Sequence, residues 1–574
     1  MGDTAMLAQV GGMADEANLR RTLSVARALA AEILPGVTDI VPAFTTVTVH
    51  YDPRQIPPGP GAPVARVAEW LRMTAAAARP DQLPPGREVE VPVCYGGEHG
   101  PDLATVALRA KLTETEVVKL HSGARYTVAA VGFSPGFPYL LGLPARLAMP
   151  RRATPRLRVP AGSVAIGGAQ AGVYPFATPG GWQIVGRTSL RFFRPEARLP
   201  ALLFPGDTVR FKPVTPAQWS QGQTRDSAPP FVEKKSAAAD AGTIEVVRPG
   251  GLTTVQDLGR PGWQRVGVTP GGAMDRQAAR VANILLGNAD NAPVLESALT
   301  GPELRFHAET WIAVTGAEAR GVAGWRPLRM AAGARLSLAD LARGSHLYVA
   351  VAGGFAVSRV LGGSGTLLSA GLGGHGGRAL RVGDRLSTGS TLLAGPFDRL
   401  KAGWGAAREF WTATGRPLDT VPTPGVVRPG PSEIVVRFVR GRRWGAFDET
   451  ARTAFKSAAW RVGQQSDRMG LRLLGPALTA ELPGELVSEG VAFGTVQVPP
   501  SGQPIVLMAD RQTLGGYPKI AHVIAVDLPH LAQARPGDIV RFVEIPVAEA
   551  QAAAAEMENS LGLLRLAVAS QLRS

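Results

Sequence analysis

Cysteine is almost missing from this chain: Cys94 is the single one among 574 residues. No intrachain disulfide can form, and no cysteine-built metal cage. The eight histidines are scattered without an H-E-x-x-H pair, so each reads as a surface or satisfied core residue, and no metal site is expected. No Gly-Lys-Ser/Thr triplet occurs, which excludes a Walker A phosphate cradle. Any nucleotide phosphates would have to be held by arginines, a lysine and backbone turns. No apolar run approaches a membrane span; Leu347–Val357 is among the longest. The start carries Asp3, Asp15 and Glu16 rather than a basic stretch before an apolar one. No signal peptide is therefore expected, and the chain is placed in the cytoplasm with no membrane partner.

Glycine (69) and proline (48) are abundant, which favours many turns and short strands over long helices. A composition of 45% hydrophobic and 19% charged residues fits a soluble globular protein of several domains. The net charge of +15 rests mostly on arginine, but no basic run stands out, so nucleic acid is not expected as a partner.

Ser488–Lys519 organises the rest: two apolar, strand-like runs, then Asp510, Arg511, Gln512 and Thr513, then Gly515-Gly516-Tyr517-Pro518-Lys519. A shorter version lies at Pro160–Trp182. Gly167 precedes Gln170 by three residues, as Gly494 precedes Gln497, and Gly180-Gly181-Trp182 answers Gly515-Gly516-Tyr517. Both stretches are followed by nearly the same phrase, Pro205-Gly-Asp-Thr-Val-Arg-Phe211 and Pro536-Gly-Asp-Ile-Val-Arg-Phe542. Three features in the same order indicate an internal duplication of a β-rich unit.

Along the chain, apolar spacing predicts helices over 17–33 and 64–78 and strands over 40–51 and 89–95, a small α/β subdomain. Thr113-Glu114-Thr115-Glu116 opens a helix ending near His121. Thr215–Ala241, rich in Gln, Ser, Ala and Pro, reads as a linker, and 402–430 as a second loose connection. Met274–Leu286 is the clearest later helix, and Ala548–Leu572 is a helical or frayed tail.

Two motifs fail on their chemistry. Gly132-Phe133-Ser134-Pro135-Gly136 matches G-x-S-x-G, but the residue after the serine must give an oxyanion-hole N–H, and Pro135 has none. Gly371-Leu372-Gly373-Gly374-His375-Gly376 matches G-x-G-x-x-G, but strand and turn follow where a helix should. Others survive. Arg151, Arg152, Arg156 and Arg158 crowd a proline-stiffened segment, and guanidinium forks suit carboxylate or phosphate as well as a solvated strand edge. Val255–Gly262, with Gln256, Asp257 and Arg260, opens a domain with unusual polarity. Asp275 before Arg276 is as much a helix cap as a catalytic acid. Ser466–Arg472 is a third polar cluster, holding Arg468 and Arg472.

These phrases carry a resemblance. The first half is similar to the B-type component of bacterial ATP-dependent 5-oxoprolinase, a family also called allophanate hydrolase subunit 1 or Kip inhibitor. The match runs through Val93–Gly97 (VCYGG), Gly100–Leu103, Val117–His121, GFSPGFPYL at Gly132–Leu140, Ala153–Pro175 and Pro179–Thr188. The second half resembles the C-type component, a family also called allophanate hydrolase subunit 2 or Kip antagonist. Its match runs through Thr253–Val268, Gly271–Asn288, Leu295–Ser297, SDRMGLRL at Ser466–Leu473 and the organising stretch. Together the halves resemble the carboxyltransferase region of urea carboxylase. Gly362-Gly363-Ser364-Gly365-Thr366 departs from the family's Gly-Ser-Arg-Ser-Thr phrase, and His99 stands where an aromatic is usual.

The resemblance implies a mainly β chain with α/β subdomains and duplicated cyclophilin-like β-barrels. It divides the chain into a B-like (carboxyltransferase C/D-type) domain at 1–214, a linker at 215–241, a C-like (A/B-type) domain at 242–549 and a tail at 550–574. The implied activity is ATP-dependent opening of 5-oxoproline to glutamate, with ATP and Mg2+, a small-molecule amide substrate and a separate A-type subunit; homo-oligomerisation stays open. Asp257, Asp275, Asp510 and Lys519 are the catalytic candidates by residue type. Arg152, Arg156, Arg158, Gln170, Tyr174, Gln256, Arg260, Arg468, Arg472, Gln497 and Arg511 are the candidates for binding substrate or nucleotide. Lys519 is expected to share one pocket with Gln497, Asp510 and Arg511. Two alternatives stand beside this: a biotin-dependent carboxyltransferase acting on urea or a related amide, although no biotinylation segment is present, and a Kip-type regulator of a histidine kinase.

Overall fold

The computed structural model describes residues 1–226, 244–389, 432–481 and 486–573. It is mainly β, with two closed barrels of seven strands. A three-stranded sheet precedes the first barrel, in the order Ala5–Gln9, Thr46–Tyr51, Val37–Ala43, with helices Glu16–Ala31 and Pro63–Ala77 packed on it. The single strand expected over 40–51 is a hairpin. Its turn passes through Phe44, a buried non-glycine residue at φ 50°, with no glycine at the turn and only Pro42 two residues before it.

The first barrel comprises strands Glu88–Tyr95, Tyr126–Val131, Pro138–Leu141, Ser163–Gly167, Gln170–Val173, Gln183–Arg187 and Thr208–Pro213. The second comprises Glu433–Arg440, Trp460–Val462, Gly470–Leu474, Thr495–Gln497, Ile505–Leu507, Lys519–Val523 and Ile539–Glu544. Numbered within each barrel, both run in the order 1-6-4-5-3-2-7, with strand 7 parallel to strand 1. Each also carries a two-stranded ribbon between the same neighbours, Arg156–Val159 with Thr178–Gly180 and Glu489–Gly490 with Leu514–Gly515.

The shared closing phrase does the same work twice. After the Pro-Gly turn, Asp207 accepts from Arg87 N at 3.2 Å and Asp538 from Ser432 N at 2.8 Å, each fixing the start of strand 1 beside strand 7. The duplication stands, but one correspondence shifts. Gly494, at φ 84°, is answered by Gly162 at φ 82°, not by Gly167. Both precede strand 4, and both carbonyls accept from strand 6 or the residue after it (Thr188 N, 2.9 Å; Val523 N, 2.8 Å). A Cβ on either would run into the carbonyl of that same residue, so the position needs glycine twice over.

Residues 244–389 form a sandwich. A four-stranded sheet (Arg335–Ser337, Glu303–Phe306, Ile244–Arg248, Arg385–Leu386) faces a five-stranded one (Leu252–Gln256, Val294–Ala298, Leu341–Val351, Thr310–Ala319, Pro327–Met330). Val246, Phe306, Val255, Leu295 and Val349 fill the space between. Helix Arg276–Leu285 covers the outer face with Trp311 and Tyr348.

The expected linker is shorter than its composition indicates. Thr215 and Gln218 exchange side chain and backbone bonds as a capping box, and Pro216 occupies the first turn of a helix, Pro216–Asp226. Trp219 on that helix stacks against His99, ring centroids 4.4 Å apart, and lies 5.2 Å from the Arg187 guanidinium. The rest of the linker, and the connection read at 402–430, lie outside the described residues.

The tail is one helix, Val547–Arg573. Its Glu558 pairs with Arg54 of the first half and with Arg280 of the second (2.7 Å), and Gln551 donates to Asp3 O and Tyr51 Oη (both 3.1 Å). No described helix is long and apolar enough to cross a membrane.

Candidate functional site: a cleft between the barrels

Residues of both ribbons, Gly180 of the first barrel and Gly515 of the second, line one cleft of about 920 Å³. The first barrel gives it an aromatic wall. The Phe137 ring meets Tyr139, Tyr174 and Trp182 edge-on at 5.0, 5.2 and 5.6 Å, an arrangement that fixes all four rings. Arg151 lies 6.0 Å over the Trp182 ring. The second barrel contributes Ser488, Gln497, Gln512 and the turn Pro499–Gly502. Burial pushes the Tyr139 and Tyr174 phenols up to about 12, so both stay protonated donors at neutral pH. The Gln497 Nε2 is buried with no partner among the described residues. A Cβ at Gly515 would run into that amide, so only glycine fits beside it. Flat aromatic faces, an uncommitted amide and a guanidinium suit a small, planar, amide-containing ligand with an anionic group.

The arginine segment divides. Asp102, 3% exposed, accepts from both Arg156 nitrogens (2.8 and 2.9 Å), from Arg152 Nη1 (3.2 Å) and from Ile184 N (2.7 Å). Arg156 is thus committed to an internal ion pair. Arg152 is also held by Asp102 but still lines the cleft, and Arg158 is exposed on the strand. Gln170 opens strand 5 at a hairpin opposite Gly167 and does not line the cleft.

Lys519 does not share a pocket with Gln497. The two are register partners, but Lys519 lines a second hollow of about 790 Å³ with Arg21, Arg442, Arg443 and Glu489. It is 2% exposed; its Nζ donates to Gly515 O at 2.6 Å and pairs with Glu489 at 3.1 Å. Burial lowers its ammonium pKa, against the opposing pull of Glu489. Gly515 therefore stands in the wall between the hollows, with Gln497 on one side and Lys519 bonded to its carbonyl.

Asp510 and Arg511 line neither hollow. Asp510 binds Arg468 through both oxygens (2.9 Å each), and Arg468 also reaches Glu296 and Gly272 O (2.7 Å). Glu296 accepts from Met274 N and Tyr348 Oη, both 2.8 Å. This network joins the second barrel to the sandwich, and every nitrogen of Arg468 is used.

Asp275 caps helix Arg276–Leu285 through Ala278 N (2.8 Å) and accepts from Gln533 Nε2 (2.9 Å); burial pushes its carboxyl up to about 6. Asp257 spends its oxygens on Gly259 N (2.8 Å) and Ser364 N (2.6 Å). Gln256 donates to Thr254 Oγ1 and Thr366 O. The departure at Gly365 follows: a Cβ there would lie 2.7 Å from Gln256 Oε1 and 2.9 Å from Asp257 Oδ1. Arg472 is exposed on the barrel surface. Arg260 is buried against Gly365 O. The types chosen from sequence were thus distributed over several separate places rather than one.

Tyr139, Trp182, Ser488 and Gln512 were missed as cleft residues, and Asp102 as the holder of the arginines. The signal for Asp102 was present in Gly100-Pro101-Asp102-Leu103; the aromatics looked like core, which they also are. Ser134 Oγ is buried with no partner among the described residues, so no base stands beside it. Among the described residues up to 389, no helix follows Gly371–Gly376. Among the described residues no group of three or more His, Cys, Asp or Glu could hold a metal ion. Magnesium travelling with ATP needs only one or two carboxylates beside the phosphate oxygens.

Duplicated seven-stranded barrels flanking a shared cleft, with a β-sandwich between them, define a two-part carboxyltransferase-type architecture. Residues 1–203 match the family model described as carboxyltransferase domain, subdomain C and D, and residues 266–544 the one described as subdomain A and B. The second half is 41% identical to the C-type component of 5-oxoprolinase from Escherichia coli over 314 residues, 54% of this chain and 93% of that protein. The first half is 42% identical to the B-type component of 5-oxoprolinase from Bacillus subtilis over 215 residues, 37% of this chain and 90% of that protein. A crystal structure of TTHA0988 superposes with a TM-score of 0.74 at 34% identity, covering 94% of this chain and 99% of that one. The chain belongs to the family of B- and C-type 5-oxoprolinase components, with both types joined in one polypeptide.

Proposed function

We propose that this chain is the fused B- and C-type component of an ATP-dependent 5-oxoprolinase, which opens 5-oxo-L-proline to L-glutamate with a separate A-type subunit. The observation that carries this reading is that each half covers at least 90% of a 5-oxoprolinase component at more than 40% identity. Matches to urea amidolyases are weaker, 28% identical over 17% of the Lachancea kluyveri protein.

An unstrained lactam resists water because its carbon is a poor electrophile. Phosphorylation removes that obstacle: the amide oxygen attacks the γ-phosphorus of ATP, the bond to ADP breaks, the amide proton is lost and an imidoyl phosphate forms. Water then adds to the carbon, and the C–N bond breaks as the nitrogen takes up protons to become the amine. The acyl phosphate left behind is cleaved by a second water to the carboxylate of glutamate and free phosphate. The inter-barrel cleft is where we place the lactam. Its ring lies against Tyr139 and Trp182, the Gln497 amide bonds the lactam, and Arg151 and Arg152 bring positive charge toward the substrate carboxylate. The working division is a B-like unit before the linker and a C-like unit after it, acting in the cytoplasm.

The test mixes this chain with a purified A-type subunit and follows 5-oxoproline-dependent ADP release together with glutamate. The two products should appear in equal amounts, and only when both proteins are present. Absence of turnover with a verified A-type subunit overturns the reading. Biotin-dependent carboxylation of urea or a related amide would replace it with the carboxyltransferase alternative.

A further inference from the structure

Three arginines from three segments are buried or half-buried, with no carboxylate bonded to any of them among the described residues. Arg260 is 2% exposed and gives one nitrogen to Gly365 O; its Nε and Nη1 have no partner among the described residues. Arg511 is 4% exposed and reaches Gln264 Oε1 only at 3.3 Å; its Nε and Nη1 have no partner among the described residues. Arg276, half-buried at the start of its helix, reaches Gly271 O at 3.3 Å, and its Nε has none. Arg276 and Arg511 flank one ring, Phe493, at 5.5 and 5.7 Å.

The nearby acids are already committed. Asp257 is spent on two backbone N–H groups and Asp510 on Arg468. His50, beside Arg511, is buried and carries no negative charge; the Arg511 guanidinium is itself pushed down to about 9 by burial and by Arg276. Buried charge without a partner is strongly destabilising, and like charges gathered together are worse. Guanidinium groups do not escape by losing a proton at neutral pH. Such an arrangement is sustained by an anion. A carboxylate brings one charge and two oxygens; a phosphoryl group brings nearly two charges and three oxygens, which better answers five unpaired nitrogens.

We propose that Arg260, Arg276 and Arg511 form a phosphoryl-binding site between the sandwich and the second barrel, distinct from the inter-barrel cleft. The loop at 510–513 separates the two: Arg511 turns inward, and Gln512 lines the cleft. This site does not depend on the 5-oxoprolinase reading. Its ligand is a small phosphate-bearing anion, either free phosphate or the phosphates of a nucleotide.

Titration calorimetry on the full chain, with inorganic phosphate and separately with ADP, tests it. Wild type should bind one anion per chain. Arg511→Met and Arg276→Met should each weaken binding at least about tenfold, since charge-assisted bonds are lost. Both variants should melt higher than wild type in phosphate-free buffer, because one of the gathered like charges is gone. Tighter binding of ADP, lost in the same variants, assigns the site to a nucleotide; tighter phosphate assigns it to free phosphate or a phosphorylated small molecule. If Arg511→Met does not fold, the half-buried Arg276→Met carries the test. Failure of wild type to bind either anion, or variants that bind like wild type, overturns the proposal.

Discussion

Lys519 occupies in the second barrel the position that Ile184 fills in the first. Each lies on strand 6 two residues before the position paired with Val496 or Val164 of strand 4, with a register shift in that interval or next to it. Its strand 4 partner is Gln497, where the first barrel has Ala165. The duplication thus kept an apolar pair in one copy and a polar pair in the other.

Lys519 holds Gly515 O and Glu489 from inside the wall of the cleft. Lys519→Met should lower unfolding stability by about 1–2 kcal/mol, because Glu489 loses one buried partner and keeps Arg442. Arginine should not rescue it fully, since a compact ammonium fits between Gly515 O and Glu489 beside Arg442 and Arg443 better than a guanidinium fork does. Urea unfolding checks this. Unchanged stability combined with lost activity would mean that the lysine acts on a ligand instead.

Gln497→Leu should do the opposite. Its Nε2 has no partner among the described residues, so stability should change by less than about 1 kcal/mol, while 5-oxoproline-dependent ADP release should fall at least about tenfold. Full turnover would remove Gln497 from the site.

His50 should make the protein acid-sensitive. Burial, and secondarily Arg511, push its imidazole from 6.5 down to about 3. A depressed value means the neutral ring contributes stability above pH 6.5 that is lost as pH falls toward 3. At pH 5 that loss is about 2 kcal/mol. Asp39 and Asp275, pushed up to about 6, run the other way: their contribution is present below 3.8 and lost as pH rises through 6. Comparing His50→Gln with wild type at pH 7.5 and 5 cancels the aspartates. Equal losses in both proteins would count against a buried neutral His50.

Limited proteolysis should cut between 227 and 241 before any site in 130–210, because that composition cannot build a core. The two pieces should stay together under native conditions, held by Glu558 and Gln551. Separation of the pieces would show that the helix contacts are too weak to hold them.

The duplication was readable because Pro-Gly-Asp and Gly-Gly-aromatic each perform a fixed backbone task. The Gly-x-x-Gln match failed because Gly162 and Gly167 look alike on paper, and only φ separates them. Residue type located the polar clusters but not their roles: Asp257, Asp275 and Asp510 have the chemistry of a base and spend it on N–H groups and an arginine. The helix at Pro216–Asp226 was signalled by Thr215-Pro216-Ala217-Gln218, yet its Ala, Gln and Ser content also reads as linker. The cleft was hidden because its wall of edge-on aromatics comes from one half and its amides from the other, and no local pattern records that meeting.

The parallel pairing of strand 7 with strand 1 sets the order in which the protein can be born. Asp207 must find Arg87 across 120 residues, and Asp538 must find Ser432 across 106. Contacts of such separation form slowly, because the intervening chain must be gathered before they reward it. During synthesis neither barrel can close until its final strand has left the ribosome, and the first is complete long before the second begins. The early half therefore offers a finished surface on which the late half matures, and the cleft comes into being only once the second barrel has been made.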